Sequence, residues 1–155
     1  MGDGEPIRRG PEGEGADVRC CGASIKGSDL FLVTVTKTED GAHGFEKDAS
    51  RKMTLNDDAN QDSVRAFHNA LGGFFRNNNI ETLFLRGRSG SGQFAGGSVT
   101  FKIEGLLQSL DGCAVRILMP QTIAAKAKKH AFMKSAGLFK NQEEAFFAAC
   151  AGMAE

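Results

Sequence analysis

At 155 residues and a formal net charge of zero, the chain is long enough for one domain with a proper core, and its bulk charge does not mark it as a polyanion binder. No apolar run is long enough to span a membrane, and the N-terminus lacks the apolar stretch of a secretory signal, so the sequence reads as a cytoplasmic protein with no membrane partner. Four cysteines without CxxC or Cys/His spacing argue against a zinc site and for idle, buried thiols.

The charge is unevenly spread. Residues 1–17 carry five acids and two arginines, Glu39–Asp62 seven acids and three bases, and Val115–Lys140 six bases and no acid. In chain order, residues 1–17 are rich in Gly, Glu and Pro with a single large aliphatic, Ile7, and are expected to form a disordered tail ahead of one domain over 18–155. Val18–Ile25 and Asp29–Lys37 read as strands joined by the tight turn Lys26-Gly27-Ser28. A weaker third strand, in one or two pieces, is expected within Gly44–Leu55. Asn60, or nearby Asp58, can cap a helix running to about Asn77, whose Val64, Phe67, Leu71, Phe74 and Phe75 share one face.

Ile80–Arg86 is the fourth predicted strand. Beyond it lies the most unusual stretch of the chain, with five glycines from Gly87 to Gly97 and no acid between Thr82 and Ile103. A cationic, backbone-rich loop feeding a helix N-terminus suits an anion. The string Gly90-Ser91-Gly92-Gln93-Phe94-Ala95 fits GxGxxA only loosely as a dinucleotide fingerprint, because strand and helix do not abut it. A P-loop is excluded by the missing lysine at Gly97-Ser98. A helix to Leu110 follows, with Val99, Ile103, Leu106, Leu107 and Leu110 inward. Ala114–Met119 is an apolar fifth strand suited to a central position. Pro120 opens a short helix to Lys129, His130–Lys140 reads as irregular, and Asn141 is expected to cap a last helix to about Met153.

The predicted order is βββαβα-βα-type: an α/β fold whose mixed five-stranded sheet has three antiparallel strands first, then parallel strands joined by helical crossovers, with helices on both faces. That order resembles the ribonuclease-H-like superfamily, and the later half looks like its Holliday junction resolvase branch. The strings GASIKGSD, GQFAGGSVTFKIEGLLQ, ILMPQTIAA and NQEEAFFAAC resemble a family of small bacterial proteins defined only as a domain of unknown function and grouped with that fold; the resemblance spans Arg19 to Met153.

The resemblance implies a site. Active members of the superfamily carry carboxylates on the first strand, at the end of the fourth strand and on the last helix, where they hold two Mg²⁺ or Mn²⁺ ions for attack on a phosphodiester. Here the first position matches Ser24, the second Arg86 or Gly87, and only the third is kept, as Glu144 with Glu143 beside it. Glu104 could supply a further acid if its helix crosses the sheet end. Three readings follow. One is a nucleic-acid-binding protein with a degenerate metal site, whose Lys26, Arg86, Arg88, Lys102, Lys126, Lys128 and Lys129 meet the phosphates of DNA or RNA on one basic face. Another is an atypical nuclease with catalytic Glu104, Glu143 and Glu144, the last holding Mg²⁺ or Mn²⁺. The third is a small-anion or nucleotide-binding module, homodimeric and without nucleic acid, that uses the glycine loop.

Overall fold

The computed structural model describes residues 18–87, 97–133 and 135–154. Along the chain come β1 (Val18–Lys26), β2 (Asp29–Lys37), β3 (His43–Thr54), α1 (Gln61–Asn77), β4 (Thr82–Arg86), α2 (Ser98–Gln108), β5 (Ala114–Leu118), α3 (Pro120–His130) and α4 (Lys140–Met153). The sheet order is β3-β2-β1-β4-β5. The β1–β2 and β2–β3 pairs are antiparallel, and β4 joins β1, and β5 joins β4, in parallel. The predicted mixed sheet is therefore present, with the hairpin turn at Gly27 taking a positive φ of 63°.

Strand alternation sorts the core into two layers. Cys21, Ala23, Leu83 and Leu85 point to one face, where they meet Phe67, Leu71 and Phe74 of α1 and Ile103 and Leu107 of α2. Cys20, Val33, Val35 and Phe84 point to the other, against Ile123 of α3 and Ala145, Phe146 and Ala149 of α4. Asn60 caps α1 as expected, its side-chain oxygen accepting from the Ser63 amide at 3.0 Å.

Three expectations need correcting. β5 is an edge strand, with Ala114, Arg116 and Ile117 exposed, because it pairs with β4 alone and α4 packs chiefly on β1 and β2. A five-residue apolar run cannot by itself separate a central strand from an edge one. The N-cap of α4 is Phe139 rather than Asn141; the Phe139 amide donates to the Gln142 side chain at 2.9 Å, and Lys140 is already helical. The segment after Lys129 is shorter than expected, because α3 reaches His130 and closes at Ala131 in the left-handed region, φ 52°.

α4 lies on the sheet at backbone distance. A Cβ on Gly22 would fall 1.8 Å from the Ala145 carbonyl oxygen, and one on Gly152 would fall 2.3 Å from the Phe84 ring. Ala145, Ala148, Ala149 and Ala151 complete the seat, all fully buried. Burial pushes the thiols beside it up: Cys20 and Cys150 to about 12, with Cys21 higher still, while half-buried Cys113 rises to about 11. All four are free and protonated near neutrality.

Across the first three strands, Arg19 of β1 grips Glu46 of β3 with two hydrogen bonds of 2.7 and 3.1 Å, and Thr36 of β2 donates to the same carboxylate at 2.8 Å. Hydrogen bonding from Arg19 holds the Glu46 carboxyl below its usual 4.5. The folded value is depressed, so this contribution is complete above the unfolded value and disappears as pH falls through the folded one. Comparing urea midpoints at neutral and strongly acid pH, the advantage of the native chain over Glu46→Gln should shrink below pH 4.5. Gly22→Ala should destabilise by about 3 kcal/mol or more, lowering the melting temperature by about 6–12 °C in a thermal melt.

Candidate functional site

The parallel strands all end at one rim of the sheet. Gly22 pairs with Phe84 across β1 and β4, so two residues further on Ser24 and Arg86 stand side by side on the face that α4 covers. α4 enters at this rim. Ser24 is buried, 3% exposed, and its hydroxyl donates to the Asn141 carbonyl in the first turn of α4 at 3.0 Å. The Arg86 guanidinium lies 3.8 Å from the Glu144 carboxylate, both side chains being more than a third exposed. An ion pair that open is worth about 0–1 kcal/mol, so it orients the two side chains more than it stabilises the fold. Gly87 extends the β4–β5 ladder, its amide donating to Leu118 O at 2.8 Å. A Cβ there would press on Ile117 at 2.9 Å.

On the opposite face, α2 starts at the same rim: the Thr100 hydroxyl donates to Gly27 O in the β1–β2 turn at 3.2 Å. Glu104 is one turn further along α2, buried to 8% exposure and turned toward the sheet with Thr100, Ile103 and Leu107. Glu143 and Glu144 belong to the α4 layer. Glu104 thus sits in the α2 layer, on the other face of the sheet from the α4 layer that carries Glu143 and Glu144. Among the described residues, no group of three or more His, Cys, Asp or Glu side chains could hold a metal ion.

The residues at the rim do not fit a divalent cation of the Mg²⁺ or Mn²⁺ type. Such an ion needs several hard oxygen ligands. The Ser24 oxygen is neutral and engaged with a carbonyl, Arg86 brings positive charge, and Glu144 is already beside that charge.

The cations expected on one face are distributed between two ends of the molecule. Lys26 is exposed at the rim, at the end of β1. Lys102 is tied to Asp58: its ammonium lies 3.7 Å from the carboxylate and also meets the Asp58 carbonyl. Lys128 and Lys129 stand in the last turn of α3 beside His130, with Lys126 one turn earlier. His130 lines a cavity with Met153, at the far end of α4. From Glu144 to Met153 is nine residues of helix, about 14 Å. The last-turn lysines are thus not brought to Arg86, and their position complements the negative end of the α3 dipole. Arg88, the GxGxxA string and Phe94 lie outside the described residues.

Two features of the rim escaped the sequence reading. Lys140, taken there for loop, is an exposed cation at the first position of α4, next to the turn that Ser24 holds. Ser24 itself serves as a pin between strand and helix. The signal for both was the small-residue pattern around Gly22 and Ala145, which implies that a helix start lies against β1.

A family model described as "Protein of unknown function (DUF3010)" matches residues 18–152. No curated protein matches the chain. Among solved structures, Thermus thermophilus RuvC in complex with Holliday junction substrate is similar at a TM-score of 0.69 and 11% identity, covering 86% of this chain and 92% of that one. A second structure of Thermus thermophilus RuvC gives 0.67 and 10%, with the same coverage. The yeast mitochondrial Holliday junction resolvase Ydc2 gives 0.53 and 10%, covering 86% and 82%. These likenesses establish a ribonuclease-H-like fold of the resolvase type.

Ser24→Ala should cost about 1 kcal/mol, the net value of one hydrogen bond. Ser24→Asp should cost more, because it sets a buried carboxylate against a carbonyl. Melting curves of both variants with and without Mn²⁺ check this; the metal should not restore the Asp variant.

Proposed function

The chain belongs to the DUF3010 family, and from that premise we propose that it uses its ribonuclease-H-like fold to bind nucleic acid, DNA or RNA, without efficient cleavage. The observation that carries this reading is the rim itself. Where the fold would seat an acid on the first strand, Ser24 is bonded to α4, and where it would seat one on the fourth, Arg86 stands beside Glu144. Lys26, Arg86 and Lys140 set three cations suited to phosphates at this end of the molecule, interspersed with Asp29, Glu143 and Glu144. The similar RuvC structure in complex with a Holliday junction substrate is an instance of this fold accommodating a branched DNA.

In this reading Arg86 contacts a phosphate when nucleic acid arrives, and Glu144 holds the guanidinium in place until then. The lysines of α3 are not part of the contact surface. A cleaving site built on Glu104, Glu143 and Glu144 is disfavoured by the sheet between the first of these and the others, so no catalytic step is assigned to them.

The two readings predict opposite results for one substitution. Glu144→Gln removes the anion beside Arg86 and should tighten binding to a four-way junction or duplex by about 3–10-fold at low salt. Were Glu144 a metal ligand, the same change would leave or weaken binding and abolish Mn²⁺-dependent cleavage. The logarithm of the affinity should fall steeply and linearly with the logarithm of salt concentration, and Lys26→Ala or Lys140→Ala should each reduce the slope by about one. Affinity that stays flat with salt would refute the proposal.

A further inference from the structure

At the end of the molecule away from the rim, the structure holds a cavity of about 530 Å³, lined among others by Lys37, His43, His130, Phe132 and Met153. Its walls come from distant parts of the chain. Lys37 and His43 are register partners at the turn end of the β2–β3 hairpin, and His130 and Phe132 bracket the C-terminal cap of α3. The left-handed Ala131 turns the chain so that Phe132 folds back against His130, and the two rings lie 5.6 Å apart and nearly parallel, at 11°. His43 meets the same Phe132 edge-on, its ring 5.3 Å away.

The chemistry of the lining is selective. Three side chains that are or can become cationic, Lys37, His43 and His130, face the space, and among the described residues that line it none is an acid. The nearby Asp40 carboxylate accepts from the Thr38 hydroxyl and the Ala42 amide, which fixes the turn at Gly41 and Ala42. The His130 ring has one face on Phe132 and is otherwise exposed, which offers a platform for a planar heteroaromatic ring. A lysine beside an imidazole, with no acid among the described lining residues, suits a phosphate dianion. The volume falls within the range of about 300–1,000 Å³ typical of small-molecule sites.

We propose that this cavity binds a nucleoside monophosphate group, with its base on the outer face of His130 and its phosphate between Lys37 and His43. That group has two sources, a free nucleotide or the terminal nucleotide of a nucleic-acid strand. The site lies a helix length from Arg86, so it stands or falls independently of the rim.

Binding of adenosine monophosphate to the full chain, followed by NMR shift changes and calorimetry, tests the assignment, with adenosine and inorganic phosphate as the separate halves. The expected result is shifts centred on Lys37, His43 and His130, and an affinity above that of either half. His130→Ala, at an exposed position, should weaken binding about tenfold through the lost stacking. Lys37→Gln should weaken it by about fivefold or more through the lost charge. Arg65→Gln, on the exposed side of α1, should change nothing. A 5′-phosphorylated single strand that competes with the nucleotide, where its unphosphorylated twin does not, would identify the strand end as the source; no competition would identify the free nucleotide. The assignment is overturned if adenosine monophosphate binds no better than phosphate, if shifts appear elsewhere, or if both cavity variants bind as the native chain does.

Discussion

The fold depends on how closely α4 can approach β1 and β4. Gly22 and Gly152 are the two points where helix and sheet would collide if either carried a side chain. Between them a row of alanines keeps the whole interface at backbone range. Interiors are packed too tightly to absorb even a methyl group at such a contact without a shift of the helix. The position of α4 is therefore fixed to a fraction of an ångström, and everything at the rim inherits that placement. Asn141 offers its carbonyl to Ser24, and Glu144 stands within reach of Arg86, because the helix cannot slide.

The same seat explains why the rim carries the character it does. A helix start pressed against the end of β1 buries the Ser24 hydroxyl against the Asn141 carbonyl. Charge at this end comes from Lys26, Arg86 and Lys140 together with Asp29, Glu143 and Glu144. The other end gathers different polar residues, Lys37 and two histidines, brought together by a hairpin turn and a helix cap. The molecule thus has two chemically distinct ends, separated by the length of α4.

Much of this was legible in the residues. Alternating Val, Thr, Phe and Leu marked β2, the spacing of Val64 to Phe75 marked α1 and its buried face, and Asn60 marked its cap. The parallel half followed from helices intervening between strands. β5 was misplaced because AVRIL is apolar enough for a core, and only its lone Arg116, which sits over the Phe84 ring at 5.8 Å, spoke for an edge. At the site, Ser24 and Arg86 were identified through resemblance, and the structure supplied what they touch. That Glu104 faces the other layer could not be read from its spacing to Glu144, since the face on which a crossover helix packs is a property of the whole chain. The cavity was invisible in the sequence because Lys37, His43, His130 and Met153 are spread over more than a hundred residues.

The two borders of the sheet are unlike. β3 carries charges of both signs at Lys47, Asp48, Arg51 and Lys52, and its register against β2 slips between Val33 and Val35, so it is a poor template for another strand. β5 is short and straight and carries Ile117 in the open. Strand addition at one border only cannot propagate, since a newcomer's own β3 would have nothing to accept. Any pairing of two copies along β5 would use up both β5 borders, so an association of that kind would stop at two chains rather than grow into a fibre.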